Sequence, residues 1–143
     1  MLEVIVTVAI VGLLAAVAAP RVSNGITTYR ANAAAERIAA DLELASSWAR
    51  DHGASETVTF NTKRNAYSFS SISSSGRTTP YVVELAESPY EAVITTVEPE
   101  TGSITFDGYG FSEDGLKVVI SVGQSVRTVL LDAATSRVEI EGR

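Results

Sequence analysis

Three carboxylates, Asp107, Glu113 and Asp114, fall within the run DGYGFSEDG. Ca²⁺ is a hard cation that takes carboxylate and carbonyl oxygens, so an acidic loop of this kind is a candidate site for it. The EF-hand spacing is absent, and acidic, glycine-rich stretches are ordinarily solvated turns. The three residues therefore stand as weak metal candidates, with the solvated turn as the reading preferred. His52 is the lone histidine. To act as a general base it would need a nucleophile and an orienting acid, and the sequence places neither beside it. The hydroxyls of 70–75 lack the Gly-x-Ser-x-Gly elbow of a serine hydrolase. No glycine loop of the phosphate-cradling kind occurs. With no cysteine in the chain, thiol nucleophiles, disulfides and Cys-based zinc sites are excluded. No catalytic set and no cofactor site emerges, and the chain reads as something other than an enzyme.

The elements around these residues are more informative. A chain of 143 residues with 45% hydrophobic and 20% charged residues is ordinary globular material, enough for one core. The formal net charge of −6 argues against a generic nucleic-acid binder, whose affinity comes from cationic side chains. Charge is unevenly spread: residues 21–83 carry a net +2 and residues 84–143 a net −7. The one dense basic pair, Lys63-Arg64, sits in an expected hairpin turn. DNA is thus a disfavoured partner, and the acidic half reads as a solvated surface or one that docks a basic neighbour.

From Val4 to Ala19 the chain reads VIVTVAIVGLLAAVAA, without a charge, between Glu3 and Pro20-Arg21. As a helix at about 1.5 Å per residue this run spans roughly 24 Å, against a hydrocarbon core of about 30 Å. Branched aliphatics point to every side, which leaves no polar face for water. A buried core helix would have to be surrounded on all sides at a chain end. A secretory signal would carry its basic residues before the apolar run, and here the first is Arg21. The reading preferred is a membrane anchor. Its nine large aliphatics each gain roughly 1.5–3 kcal/mol on leaving water. One embedded carboxylate costs about 3 kcal/mol on insertion scales, so insertion wins. Glu3 is then either a headgroup-level acid at the positive end of the helix dipole or a functional group awaiting a cation.

Residues 21–52 continue as an amphipathic helix. Val22, Ile26, Tyr29, Ala33, Ile38, Leu42, Ala45 and Ala49 form the expected apolar stripe. Arg30, Glu36, Arg37, Asp41, Glu43 and Arg50 supply the polar side, with Arg37 and Asp41 at pair spacing. Pro20 predicts a kink, because it cannot bond the Ala16 carbonyl, and Gly53 predicts a C-cap. Trp48 is expected in the core. Residues 55–143 alternate in short runs: Thr57–Asn61, Ala66–Ser70, Tyr81–Leu85, Ala92–Val97, Ser103–Phe106, Leu116–Val122, Val126–Leu131 and Arg137–Ile140. Residues 70–80 are Ser-rich and read as a loop, with further turns at 123–125 and 133–136. One long helix on mostly antiparallel strands is an α+β architecture.

Met1-Leu2-Glu3-Val4-Ile5-Val6, the apolar run with Gly12, and Ala19-Pro20-Arg21 resemble the N-terminus of type IV pilins and type II secretion pseudopilins. The Glu3-to-Pro20 spacing matches that family, whereas the Phe-Thr that usually opens its mature proteins is not present. Ile104-Thr105-Phe106 with Gly108-Tyr109-Gly110, the hairpin of Val118–Ser121 and Val129–Leu131, Thr135-Ser136-Arg137-Val138, and the helix end Ala45–Gly53 resemble the GspH/FimT-like minor pseudopilins. In the Thr-Ser-Arg stretch, Ser136 stands where that group usually has Gly.

The resemblance implies a pilin-like fold, with 1–20 as the transmembrane and filament-core half of the helix and 21–143 as a periplasmic globular domain. It implies that the Glu3 carboxylate attracts the N-terminal ammonium of a neighbouring subunit, with Gly12 and Pro20 as further assembly residues. It places the prepilin-peptidase site, with N-methylation, upstream of Met1. The implied function is a minor pseudopilin of a type II secretion system, anchored in the bacterial inner membrane. The alternative is a minor pilin of a type IV pilus, in assembly priming or DNA uptake. The implied partners are other pilins or pseudopilins, the inner-membrane assembly platform, membrane lipid and secreted cargo.

Overall fold

The computed structural model describes residues 2–73 and 80–142, with the side chains of 15–24 and of Ser73 outside the description. A single helix, α1 (Leu2–His52), runs from the apolar segment into the globular domain without a break at Pro20. Gly53, at φ +59°, closes it, and the Ala54 N–H bonds the Ala49 carbonyl at 3.1 Å. This is the left-handed C-cap expected of a glycine just past a helix end.

Eight strands follow: β1 (Glu56–Asn61), β2 (Ala66–Ser73), β3 (Pro80–Glu84), β4 (Val93–Glu98), β5 (Ser103–Phe106), β6 (Leu116–Val122), β7 (Ser125–Leu131) and β8 (Val138–Gly142). They form two antiparallel sheets, in the orders β3-β2-β1-β5 and β4-β6-β7-β8. The fold is the α+β arrangement of one helix on antiparallel sheets. Strand β2 runs three residues further than the alternation suggests, into the Ser-rich stretch. The rest of the loop expected over 70–80, residues 74–79, lies outside the described residues.

Alternation decides what each strand buries. On β6, Leu116, Val118, Ile120 and Val122 turn inward and their neighbours are only half-buried. On β1 the inward set is Glu56, Val58 and Phe60. The helix meets them with small residues. Ala31, Ala34, Ala35, Ala45 and Ala49 are fully buried beside Ile38 and Leu42. A face built largely of alanine lets both sheets approach closely, and Tyr67, Phe69 and Phe106 are the largest of the fully buried side chains that fill the core.

This corrects the expected stripe at its start. Ile38, Leu42, Ala45 and Ala49 face inward as predicted, but Ile26 and Tyr29 are exposed, and Ala31, Ala34 and Ala35 take the buried face. Steps of three and four allow either register for the upper turns, and the sheets select the alanines. Trp48 is likewise only half-buried. It stacks on His52, with ring centroids 4.2 Å apart.

Candidate functional site

The N-terminal rod is the first candidate. Leu2, Val4, Ile5, Val6, Val8, Ile10, Val11, Leu13 and Leu14 are all exposed, from 49% at Val6 to 77% at Leu2. Among the described residues, no strand or loop covers them. Burying one such side chain is worth roughly 1.5–3 kcal/mol, so this surface requires an apolar environment from outside the chain. Glu3 lies in the first turn, exposed, and its carbonyl accepts the Thr7 hydroxyl one turn on. Gly12 has open space where a Cβ would stand, so a neighbouring helix could approach its backbone closely. Pro20 lies within α1, and its side chain is among those not described. The expected span over 4–19 runs into the same segment. Among the described residues, no helix is long and apolar enough to cross a membrane.

Below the rod, side-chain contacts fasten helix to sheet. The Arg127 Nε–H donates to Asn32 Oδ1 at 2.6 Å, Thr28 and Ser125 hydroxyls meet at 3.1 Å, and Arg30 pairs with Glu91. Deeper in, Asp41 is 6% exposed. This corrects its placement on the polar side: its Oδ2 accepts from Arg37 Nε at 2.9 Å and from the Tyr67 hydroxyl at 2.5 Å. Arg37 also donates to Tyr81. Burial pushes the Tyr67 phenol well above its ordinary value, and the hydrogen bond to Asp41 adds to the shift. Burial works against the charge of Arg37, but the bond to Asp41 and that carboxylate's charge outweigh it, so its pKa is raised. Among the described residues no buried side-chain nitrogen or oxygen lacks a partner, and this cluster serves as a helix-to-sheet tie.

Glu56 opens β1, one residue ahead of the strand start expected at Thr57. Its carboxylate is completely buried. Oε1 accepts the backbone N–H groups of Ser70 at 2.6 Å and Ser71 at 3.0 Å, and the Ser70 hydroxyl at 3.0 Å. The side chain thus replaces backbone pairing where the β1–β2 ladder ends after Val58↔Phe69.

The β5–β6 loop holds the predicted acidic residues. Asp107 Oδ1 accepts the N–H groups of Tyr109 and Phe111, both at 2.9 Å, and the Gly110 N–H bonds the Asp107 carbonyl at 2.8 Å. The Asp114 carbonyl accepts the Ser112 hydroxyl at 2.8 Å, and the Glu113 side chain is exposed. Among the described residues, no group of three or more His, Asp or Glu side chains is placed to hold a metal ion. Instead Asp107 shapes the loop, and Gly108 and Gly110 press it onto the end of α1. A Cβ on Gly110 would stand 2.8 Å from the Ser46 carbonyl oxygen, and one on Gly108 2.9 Å from Gly53. Tyr109 and Phe111 are held outward, beside Arg50 and Glu43.

The chain matches no protein-family model. It matches no curated protein either. Its fold, however, is similar to two crystal structures of the type IV minor pilin FimU from Pseudomonas aeruginosa strain PAO1. Their TM-scores are 0.58 and 0.59, at 16% identity. The matches cover 77% and 78% of this chain and 91% and 87% of those chains. The fold is type IV pilin-like. In this chain the exposed rod and the close-packed alanine face are two parts of one helix. The rod protrudes, and the alanine face carries the sheets.

Proposed function

We propose that this chain is a membrane-anchored minor subunit of a pilin-like filament, and specifically a minor pseudopilin of a type II secretion system. The observation that carries the reading is the rod, with nine large aliphatic side chains exposed along a helix that the globular domain leaves bare. Residues 1–20 wait in the inner membrane, and residues 21–143 form the periplasmic domain. On assembly the rod exchanges lipid for neighbouring rods, with Gly12 allowing close approach and Pro20 marking the exit from the bundle. Glu3 is neutralised by the N-terminal ammonium of an adjoining subunit, since an isolated charge in an apolar bundle is costly. Other pseudopilins and the inner-membrane assembly platform are the partners, with secreted cargo at the globular domain. The role is structural rather than enzymatic.

A second reading, a minor pilin of a type IV pilus, is favoured by the FimU likeness. Replacing Glu3 tests what the two share. Glu3→Ala is expected to leave the globular domain's thermal transition unchanged and to abolish co-purification with the other filament subunits. Normal incorporation of the variant would refute the assembly role. Deletion of the gene then separates the readings, through loss of protein export in one case and loss of surface pili or DNA uptake in the other.

A further inference from the structure

Ile26 and Tyr29 sit one turn apart on the side of α1 that faces away from both sheets, 49% and 73% exposed. The β3–β4 loop brings Ser88 and Pro89 against them, and together with Gly25 and Arg30 they line an open cavity of 400 Å³. Arg30 at its rim is paired with Glu91, so the shelf carries no uncompensated charge of its own. Neither the core nor the ties to Ser125 and Arg127 use this face.

We propose that this shelf seats the globular domain on the headgroup layer of the bilayer that the rod enters. The inference rests on the membrane-anchored reading above. Its first support is position. The uncharged run Val4–Ala19 ends at Pro20-Arg21, so the hydrocarbon core, locally thinned to this shorter span, ends there as well, and the headgroup layer occupies roughly the next 5–7 Å. Ile26 lies about 7 Å beyond Arg21 along the helix, at the outer edge of that layer. Tyr29 lies one turn further, but helical side chains lean towards the N-terminus, so its ring covers the turn below its own Cα. Chemistry is the second support. An apolar ring with a hydroxyl tip, a branched aliphatic and a proline beside an internally neutralised ion pair suit the interface, where tyrosine is enriched.

Because the chain contains no cysteine, single substitutions carry one dye each. The full chain is reconstituted in phosphatidylethanolamine–phosphatidylglycerol vesicles doped with lipid spin-labelled at the headgroup or in mid-chain. A dye on Ser88→Cys, with Ile26 and Tyr29 intact, is expected to lose about half its fluorescence to the headgroup label, as an interfacial group should. The added pair Ile26→Ser and Tyr29→Ser should abolish that quenching. A dye on Val8→Cys should be quenched by the mid-chain label in both backgrounds, and one on Tyr109→Cys, at the far end of the domain, by neither label. If Val8 is quenched and Ser88 is not, the shelf proposal falls and the anchor stands. If Val8 is not quenched, both fall. Shielding of Ser88 that arises only on polymerisation would make the shelf a subunit contact and overturn the proposal as well.

Discussion

The hydroxyl of Tyr67, pointing inward from β2, donates a 2.5 Å hydrogen bond to Oδ2 of Asp41, pointing inward from α1. Arg37 closes over the same oxygen from the helix, at 2.9 Å. One carboxylate therefore fixes the rotation of the helix against the first sheet. Tyr67→Phe keeps the ring and removes the tie. A hydrogen bond to a charged group is worth about 1.5–3 kcal/mol, and this is the expected loss. It should appear as a lower urea midpoint with an unchanged slope. Asp41→Ala should cost more, because it strips two donors of their acceptor.

The same phenol sets an alkaline limit. Burial, and then the bond to Asp41, hold its pKa above the ordinary 10.0 in the folded state. Below that value both folded and unfolded chains keep the proton. Above it the unfolded chain binds fewer protons than the folded one, so stability falls as pH rises. Stability measured between about pH 9 and 11 should decline more steeply for the parent than for Tyr67→Phe, since the range brackets the free tyrosine pKa. Parallel declines would show that Tyr67 contributes nothing to the limit.

Glu56 offers a test of how β1 and β2 are joined. Its carboxylate accepts from two backbone N–H groups and a hydroxyl where the ladder stops. Glu56→Ala leaves those donors without their acceptor, at an expected cost of about 1–3 kcal/mol. Glu56→Gln retains Oε1 as acceptor but turns an amide towards the Ser71 N–H, which now lies 3.1 Å from Oε2. It should fall between parent and Glu56→Ala in thermal unfolding. Equal losses for Ala and Gln would mean that the charge itself, rather than the acceptor geometry, is what β2 requires.

Much of this fold is legible in the residues. Period-two alternation places the strands to within a few positions, most clearly where one face lies in the core, as Leu116, Val118, Ile120 and Val122 illustrate. Gly53 announces the helix end because only a left-handed residue closes it there. The helix register near Tyr29 was not legible, because alanine weighs little in an apolar count and yet five alanines make the contact face. Asp41 and Glu56 were hidden for a different reason. Each is a carboxylate at an inward position, and its partners Tyr67, Ser70 and Ser71 are far away in the chain. The rod was legible throughout, since nothing but its own composition makes it need a cover.

Ser136 weighs two opposed effects of similar size. It adopts φ +50°, in the left-handed region, which costs an L-residue about 1–2 kcal/mol and a glycine almost nothing. Its hydroxyl oxygen, however, accepts the N–H of buried Ser112 at 3.1 Å, a bond worth about 0.5–1.5 kcal/mol. Ser136→Gly relieves the first and forfeits the second, so its melting temperature should stay close to the parent's. Ser136→Ala forfeits the bond and keeps the strain, and should be destabilised by about 1 kcal/mol. The expected order is therefore serine level with glycine and both above alanine. If alanine matched serine, the Ser112 bond would contribute nothing. If glycine rose well above both, backbone strain would dominate at this turn.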